Sequence, residues 1–162
     1  MRKIVALSEI PTEIIDTPTD NLVGVYNFCE EMKRLCIAEK GVGLSAVQVG
    51  VPWRLFIAIK SLTFLGFRYF VDCKYLPVGE EKVASIEGCL SVRNSDGECR
   101  RFKVDRHKGI DLIGKEILAN DKLKLVDVNE RHYDDLAIVY QHEIDHASGI
   151  TINQIGQEIS IW

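Results

Sequence analysis

No stretch of this 162-residue sequence approaches the ~20 consecutive apolar residues of a membrane-spanning helix, so no membrane partner is expected. The start, Met1-Arg2-Lys3-Ile4-Val5-Ala6-Leu7, carries charge, but its apolar run is far short of the roughly 7–15 residues of a secretory signal. The expected location is therefore a cytoplasm. Positive charge is not in excess: 20 Lys and Arg stand against 24 Asp and Glu, for a net charge of -4, which speaks against a sequence-specific nucleic-acid binder. The local cluster Arg100, Arg101, Lys103, Arg106 and Lys108 reads as one solvated strand face. The five cysteines (Cys29, Cys36, Cys73, Cys89 and Cys99) are an odd number without paired spacing. That suits reduced thiols better than a disulfide framework, with one of them free to bind a metal. Repeats, low-complexity segments and a domain linker are also missing. With 46% hydrophobic and 27% charged residues, the chain reads as one globular domain over residues 1–162.

Pro11 and Pro18 mark a loop, and Asp20 is placed to cap a helix over 21–39. Leu22, Val25, Cys29, Met32 and Cys36 recur at intervals of 3, 4, 3 and 4, one helical face, with Cys29 and Cys36 as small core residues. Gly41 is the expected stop. Residues 52–59 and 67–77, rich in branched and aromatic side chains, predict strands. Residues 82–93 predict strand and loop, Asp96-Gly97 a hairpin turn, and 101–118 two further strands with Gly109 and Gly114 near turns. Asp134 is placed to cap a last helix over 135–147, ended by Gly149.

That last helix carries a conflict. Leu136, Ala137, Ile138, Val139, Tyr140 and Ile144 are apolar on nearly every side, which predicts burial. Yet the same segment holds His142, Glu143, Asp145 and His146, and buried ionisable groups are costly unless paired or bound to metal. His142-Glu143-Ile144-Asp145-His146 has the form H-E-x-x-H. On a helix, positions i and i+4 share a face, so both imidazoles reach one ion, with Glu143 beside it as a base. The chain has only four histidines. A catalytic site of the zinc type takes three protein ligands and keeps one position open. His107, His132 and Glu158 are possible third ligands. Cys89, in Glu87-Gly88-Cys89-Leu90-Ser91, is the better one, because the adjacent glycine permits close backbone approach. The predicted architecture is α+β, with short antiparallel strands wrapped around a central buried helix that carries the motif.

Three segments together resemble the peptide deformylase family. Gly41-Val42-Gly43-Leu44-Ser45-Ala46-Val47-Gln48 looks like its first motif, Glu87-Gly88-Cys89-Leu90-Ser91 its second, and Gln141-His142-Glu143-Ile144-Asp145-His146 its third, in the family's order and spacing. Arg101, twelve residues after Cys89, falls where the family carries an arginine. The resemblance spans roughly residues 20–150.

The resemblance implies a hydrolase that removes the formyl group from the N-terminal formylmethionine of nascent polypeptides and releases formate. It implies Cys89, His142 and His146 as metal ligands, with Fe²⁺ native and Zn²⁺, Ni²⁺ or Co²⁺ able to replace it. Glu143 would carry the proton, and the Gln48 side-chain amide and Leu90 backbone N–H would stabilise the oxyanion. The peptide would lie extended beside residues 42–44 and 85–88, with Val42, Gly43, Glu87, Gly88, Ile138 and Val139 as substrate-binding residues. Ser45, Val92-Arg93, Asp72-Cys73 and Ala147 depart from the family pattern without removing a catalytic group. The helix that many bacterial members add after the metal-binding helix, linked to ribosome docking, is not expected here. Short forms of this kind resemble members carried by bacteriophages, so the cytoplasm in question is that of a bacterium or of a phage's host. Two other readings compete. A different metallohydrolase, such as a peptidase, would share H-E-x-x-H but not Cys89 and Gln48 in these settings. A binding module with a structural metal would close its fourth position with protein.

Overall fold

The computed structural model describes residues 2–160, and among these the side chains of 64 and 65 are not described. The ends of the expected 1–162 domain, Met1, Ile161 and Trp162, lie outside the described residues. Three helices and eight strands follow the order α1 (Leu22–Ala38), β1 (Gly43–Ser45), β2 (Leu55–Ser61), β3 (Phe64–Pro77), β4 (Lys82–Arg93), β5 (Cys99–His107), β6 (Gly109–Ala119), β7 (Leu123–Tyr133), α2 (Asp134–Ala147), α3 (Ile152–Ile155) and β8 (Gln157–Ile159). A five-stranded sheet runs β1-β2-β3-β6-β7 and a three-stranded sheet runs β4-β5-β8. Every strand pair is antiparallel. The α+β architecture is as the sequence predicts, although β3 reaches 14 residues and is not short.

The larger sheet is covered on both faces, and β2 shows why its sequence, Leu-Phe-Ile-Ala-Ile, is a continuous apolar run. Leu55 and Ile57 point to the face that packs on Val25, Phe28, Cys29, Met32 and Cys36 of α1. Phe56 and Ala58 point to the other face, against Ala137, Tyr140 and Ile144 of α2. The 3-and-4 spacing in α1 thus does bury one stripe, with Leu22 only partly covered. The helix α2 is central as expected: the large sheet backs one side, and the small sheet reaches it through Cys89 and Arg106. A third cluster, Cys89, Val92, Phe102, Val104 and Ile152, holds the small sheet together.

Several local expectations are corrected. Asn21, not Asp20, caps α1, accepting from the Gly24 N–H at 3.0 Å. Lys40, not Gly41, takes the left-handed turn after α1, at φ 57°. Asp134 does not cap α2; it is the first helical residue, with φ 53°, and Tyr133 holds the cap position without a side-chain bond. Gly114 sits inside β6 opposite Val128, not near a turn. The Asp96-Gly97 turn is present: Gly97 takes φ 83° and donates to the Asn94 carbonyl at 3.1 Å, the conformation that glycine adopts without strain. Residues 82–93 are strand throughout. The basic cluster is not one solvated face. In β5 the side chains alternate, so Arg101 and Lys103 are exposed, whereas Arg106, in line with Phe102 and Val104, is 3% exposed.

Candidate metal centre

Three elements converge below a cleft. The strand β4 contributes Cys89, the helix α2 contributes His142 and His146, and the 3-10 turn Ala46–Val49 contributes Gln48. One turn of helix separates the two histidines, so their rings meet: Nε2 of His142 lies 3.2 Å from Nε2 of His146. The Cys89 sulfur lies 3.3 Å from His146 Nε2. The three donor atoms all fall within 4.8 Å of one another.

Their orientation is set from behind. The His142 Nδ1–H donates to Glu87 at 2.8 Å, which turns Nε2 toward the donor atoms of His146 and Cys89. Arg106 grips Glu87 with two bonds of 2.8 Å and also pairs with Asp145. Tyr75 donates to the other oxygen of Asp145 at 3.4 Å. This buried chain from Tyr75 to His142 satisfies each charge with an opposite one. Burial opposes ionisation of Glu87, but the hydrogen bonds from Arg106 and His142 hold it down at about 2. Burial also opposes charge on His142, yet its bonds with Cys89 and Glu87 push it up to about 10. Burial and the neighbouring His142 and Arg106 hold His146 well below the ordinary histidine range. Glu87, Glu143 and Cys89 thus stand around a pair of buried imidazoles, a setting that favours positive charge among them.

A divalent cation fits that demand. The donors are one sulfur and two imidazole nitrogens, the number and kind of a catalytic site with an open position. Glu143 Oε2 is buried with no hydrogen-bond partner, as expected where a group is meant to act on a ligand or water. Burial pushes the Glu143 carboxyl up to about 7, against the pull of His142. Gly43 makes room for it: a Cβ at residue 43 would lie 2.5 Å from Glu143 Oε1. Gln48 is fixed by accepting from the Ser45 N–H at 2.9 Å, which aims its NH₂ at the Cys89 sulfur, 3.3 Å away.

The cleft above has a volume of about 460 Å³. Val42, Gly43, Gln48, Glu87, Gly88, Cys89, Leu90, Ile138, Val139, His142 and Glu143 all line it, so the residues singled out from the sequence are brought together, with His146 just beneath. Glu87 is used differently from expectation, since its carboxylate is engaged by Arg106 and His142 and not open to a substrate. The alternative third ligands lie elsewhere. His132 stands edge-on to Tyr140, ring centroids 4.8 Å apart, His107 packs by Tyr75, and Glu158 pairs with Arg100. Arg101 is exposed on the cleft wall beside Gly88, and the arginine that supports the site is Arg106. Sequence reading missed Arg106, Asp145 and Tyr75 in this role. Only the alternation of β5, which puts an arginine in line with Phe102 and Val104, signalled the first of them.

The sequence model of the family described as Polypeptide deformylase matches residues 4–158. A Syntrophomonas wolfei protein named peptide deformylase is 34% identical over 127 residues, 78% of this chain and 74% of that one. Its namesake from Carboxydothermus hydrogenoformans is 32% identical over 150 residues, 91% of this chain and 88% of that one. The crystal structure of peptide deformylase from Thermotoga maritima superposes with a TM-score of 0.76 at 25% identity, covering 99% of both chains. With the family match running through both sheets and all three converging segments, this chain belongs to the peptide deformylase family.

Proposed function

We propose that Cys89, His142 and His146 hold the metal ion with which this deformylase removes the formyl group from N-terminal formylmethionine. The observation that carries the assignment is the convergence of these three donors under a cleft that also exposes an unpartnered, buried carboxylate, Glu143. A divalent cation held by these three residues would supply a Lewis acid and make water more acidic. Glu143 accepts a proton from the attacking water and delivers it to the leaving amine, so that water and formyl amide become formate and a free amino terminus. The Gln48 amide and the Leu90 backbone N–H donate to the oxyanion that develops on the formyl oxygen.

The peptide lies extended across the cleft. The strands β1 and β4 are both sheet edges, one of each sheet, and both line the cleft, so a substrate strand adds its backbone bonds to unpaired edges. The formyl carbon carries only hydrogen, and Gly43 and Gly88 give it close walls. Val42, Ile138 and Val139 provide the apolar surface for the methionine side chain. Nascent chains are the natural substrates, and residues 1–162 act as one catalytic domain in a cytoplasm. No described helix is long and apolar enough to cross a membrane. The thiolate–imidazole donor set accepts Fe²⁺ or Zn²⁺, and Ni²⁺ or Co²⁺ as substitutes. We assign Fe²⁺ as the native ion.

Formate release from a formyl-Met peptide, with an acetyl-Met peptide as control and metal content measured on the same sample, tests the reading. Release from the formyl peptide alone is expected, and equal rates on both, or none on either by metal-loaded protein, would refute it. The Glu87 support has its own test. Glu87→Gln keeps the shape but removes the charge that orients His142 and pairs with Arg106. It is expected to weaken divalent-metal binding roughly 10–100-fold in a chelator competition, the scale of lost outer-shell partners. Unchanged affinity would mean that His142 needs no such support.

A further inference from the structure

The cleft is not electrically uniform along its helical wall. Asp135, Ile138, Val139 and His142 all line it. Their spacing of 3, 1 and 3 puts them on one stripe of α2 that starts at a carboxylate and ends at a metal donor. At 1.5 Å per residue, Asp135 lies roughly 10 Å along the axis from His142 and about one turn beyond Ile138 and Val139. Asp135 is exposed. None of the ion pairs among the described residues uses it, whereas Asp145, in the last turn of the same helix, is paired with arginine. An acidic residue in the first turn favours the helix dipole, but Asp134 supplies the same charge in the same turn without lining the cleft. The dipole therefore does not by itself account for a second carboxylate, one that lines the cleft.

We propose that Asp135 is a specificity-determining residue that favours formylated peptides with a lysine or arginine at the third position. The inference rests on the reading that the substrate lies extended between β1 and β4. In an extended chain, alternate side chains share one side and stand roughly 6–7 Å apart. With the methionine side chain against Ile138 and Val139, the third side chain meets α2 about one turn farther on, where Asp135 stands. A cationic side chain is attracted there, and an acidic one is repelled. The second side chain points away and does not sense the charge. Because Asp135 is exposed, the effect is that of a surface ion pair, about 3-fold, and salt screens it.

The test uses metal-loaded full-length protein and three amidated peptides, formyl-Met-Ala-Lys, formyl-Met-Ala-Gln and formyl-Met-Ala-Glu. Formate release should give kcat/KM in the order Lys, Gln, Glu, about 3-fold per step, carried by KM with kcat constant, and compressed at 0.5 M NaCl. Asp135→Asn should collapse the order and Asp135→Lys should invert it, whereas Asp134→Asn should keep it. Moving the charged residue to the second position should remove the dependence. The proposal is overturned if Asp135→Asn leaves the Lys-to-Glu ratio intact, if Asp134→Asn erases it equally, or if charge at the second position matters as much. Failure of wild-type protein to turn over even the glutamine peptide would instead overturn the deformylase reading of the cleft, and the proposal with it.

Discussion

Cys89→Ala is expected to abolish stoichiometric metal binding and, with it, formate release. The sulfur is the only donor of the three that comes from outside α2, and it links the small sheet to the helix through His146 at 3.3 Å. Without it, two imidazoles on one helix remain, short of the three ligands of a catalytic site. The ion would also lose the negative charge of the thiolate, since a coordinating thiol is deprotonated. Loss of fold is not the expected cause. Cys89 is a small side chain among Val92, Phe102, Val104 and Ile152, and shortening it to alanine removes one atom from that cluster. Elemental analysis after dialysis, with circular dichroism on the same sample, separates the two explanations. Cys99→Ala is the control: Cys99 lines the outer wall of the cleft but is not among the three converging donors, so its loss should leave one metal per chain. Full metal occupancy in folded Cys89→Ala protein would show that the third ligand lies elsewhere.

The contrast between Cys89 and Arg106 shows which parts of the site are legible in a sequence. His142 and His146 are four residues apart on one helix, so their meeting is a local consequence of helical period. The stripe in α1 and the apolar run of β2 are legible for the same reason, because a period of 3.6 or burial on both faces leaves its mark on consecutive residues. Cys89 is 53 residues from His142, and only a motif shared with a family ties it to the site. Arg106 has no such motif here. Surrounded by Arg101, Lys103 and Lys108 it looks like part of a solvated basic run, and its burial follows from partners 19 and 39 residues away, Glu87 and Asp145. The strand β7 was missed for a related reason. It is an edge of the large sheet, and of its eleven residues only Val128 is buried; the apolar residues Leu123, Leu125, Val126 and Val128 give way to Asn129, Glu130, Arg131 and His132, so the hydrophobic pattern breaks off halfway along the strand. Helix ends slipped by one residue where capping was decided by which neighbour, Asp20 or Asn21, could reach a backbone N–H.

Glu143→Gln is expected to keep the metal and lose the reaction, with turnover falling at least ~10²-fold. The substitution preserves the volume of a side chain that is 4% exposed and pressed against Gly43, so neither the fold nor the three donors should shift. What it removes is the ability to accept a proton. In the structure the Glu143 carboxyl is pushed up to about 7 by burial, and its Oε2 has no partner within the protein. A carboxyl with those properties can take a proton from water and release it again near neutral pH, whereas an amide can do neither. The loss should fall on kcat, because Glu143 holds no part of the extended peptide and KM reflects the strand edges and the apolar wall. Thermal stability should stay level or rise, since burying a neutral amide costs less than burying a carboxylate. Metal content, melting temperature and steady-state kinetics on one preparation read all three consequences. Turnover near the wild-type value, with metal in place, would show that another group carries the proton. Of the other carboxylates lining the cleft, Glu87 is held ionised by Arg106, Glu39 pairs with Arg93 and Asp135 stands roughly 10 Å along α2 from His142, so the carboxylate chemistry of the site would have to be reassigned altogether.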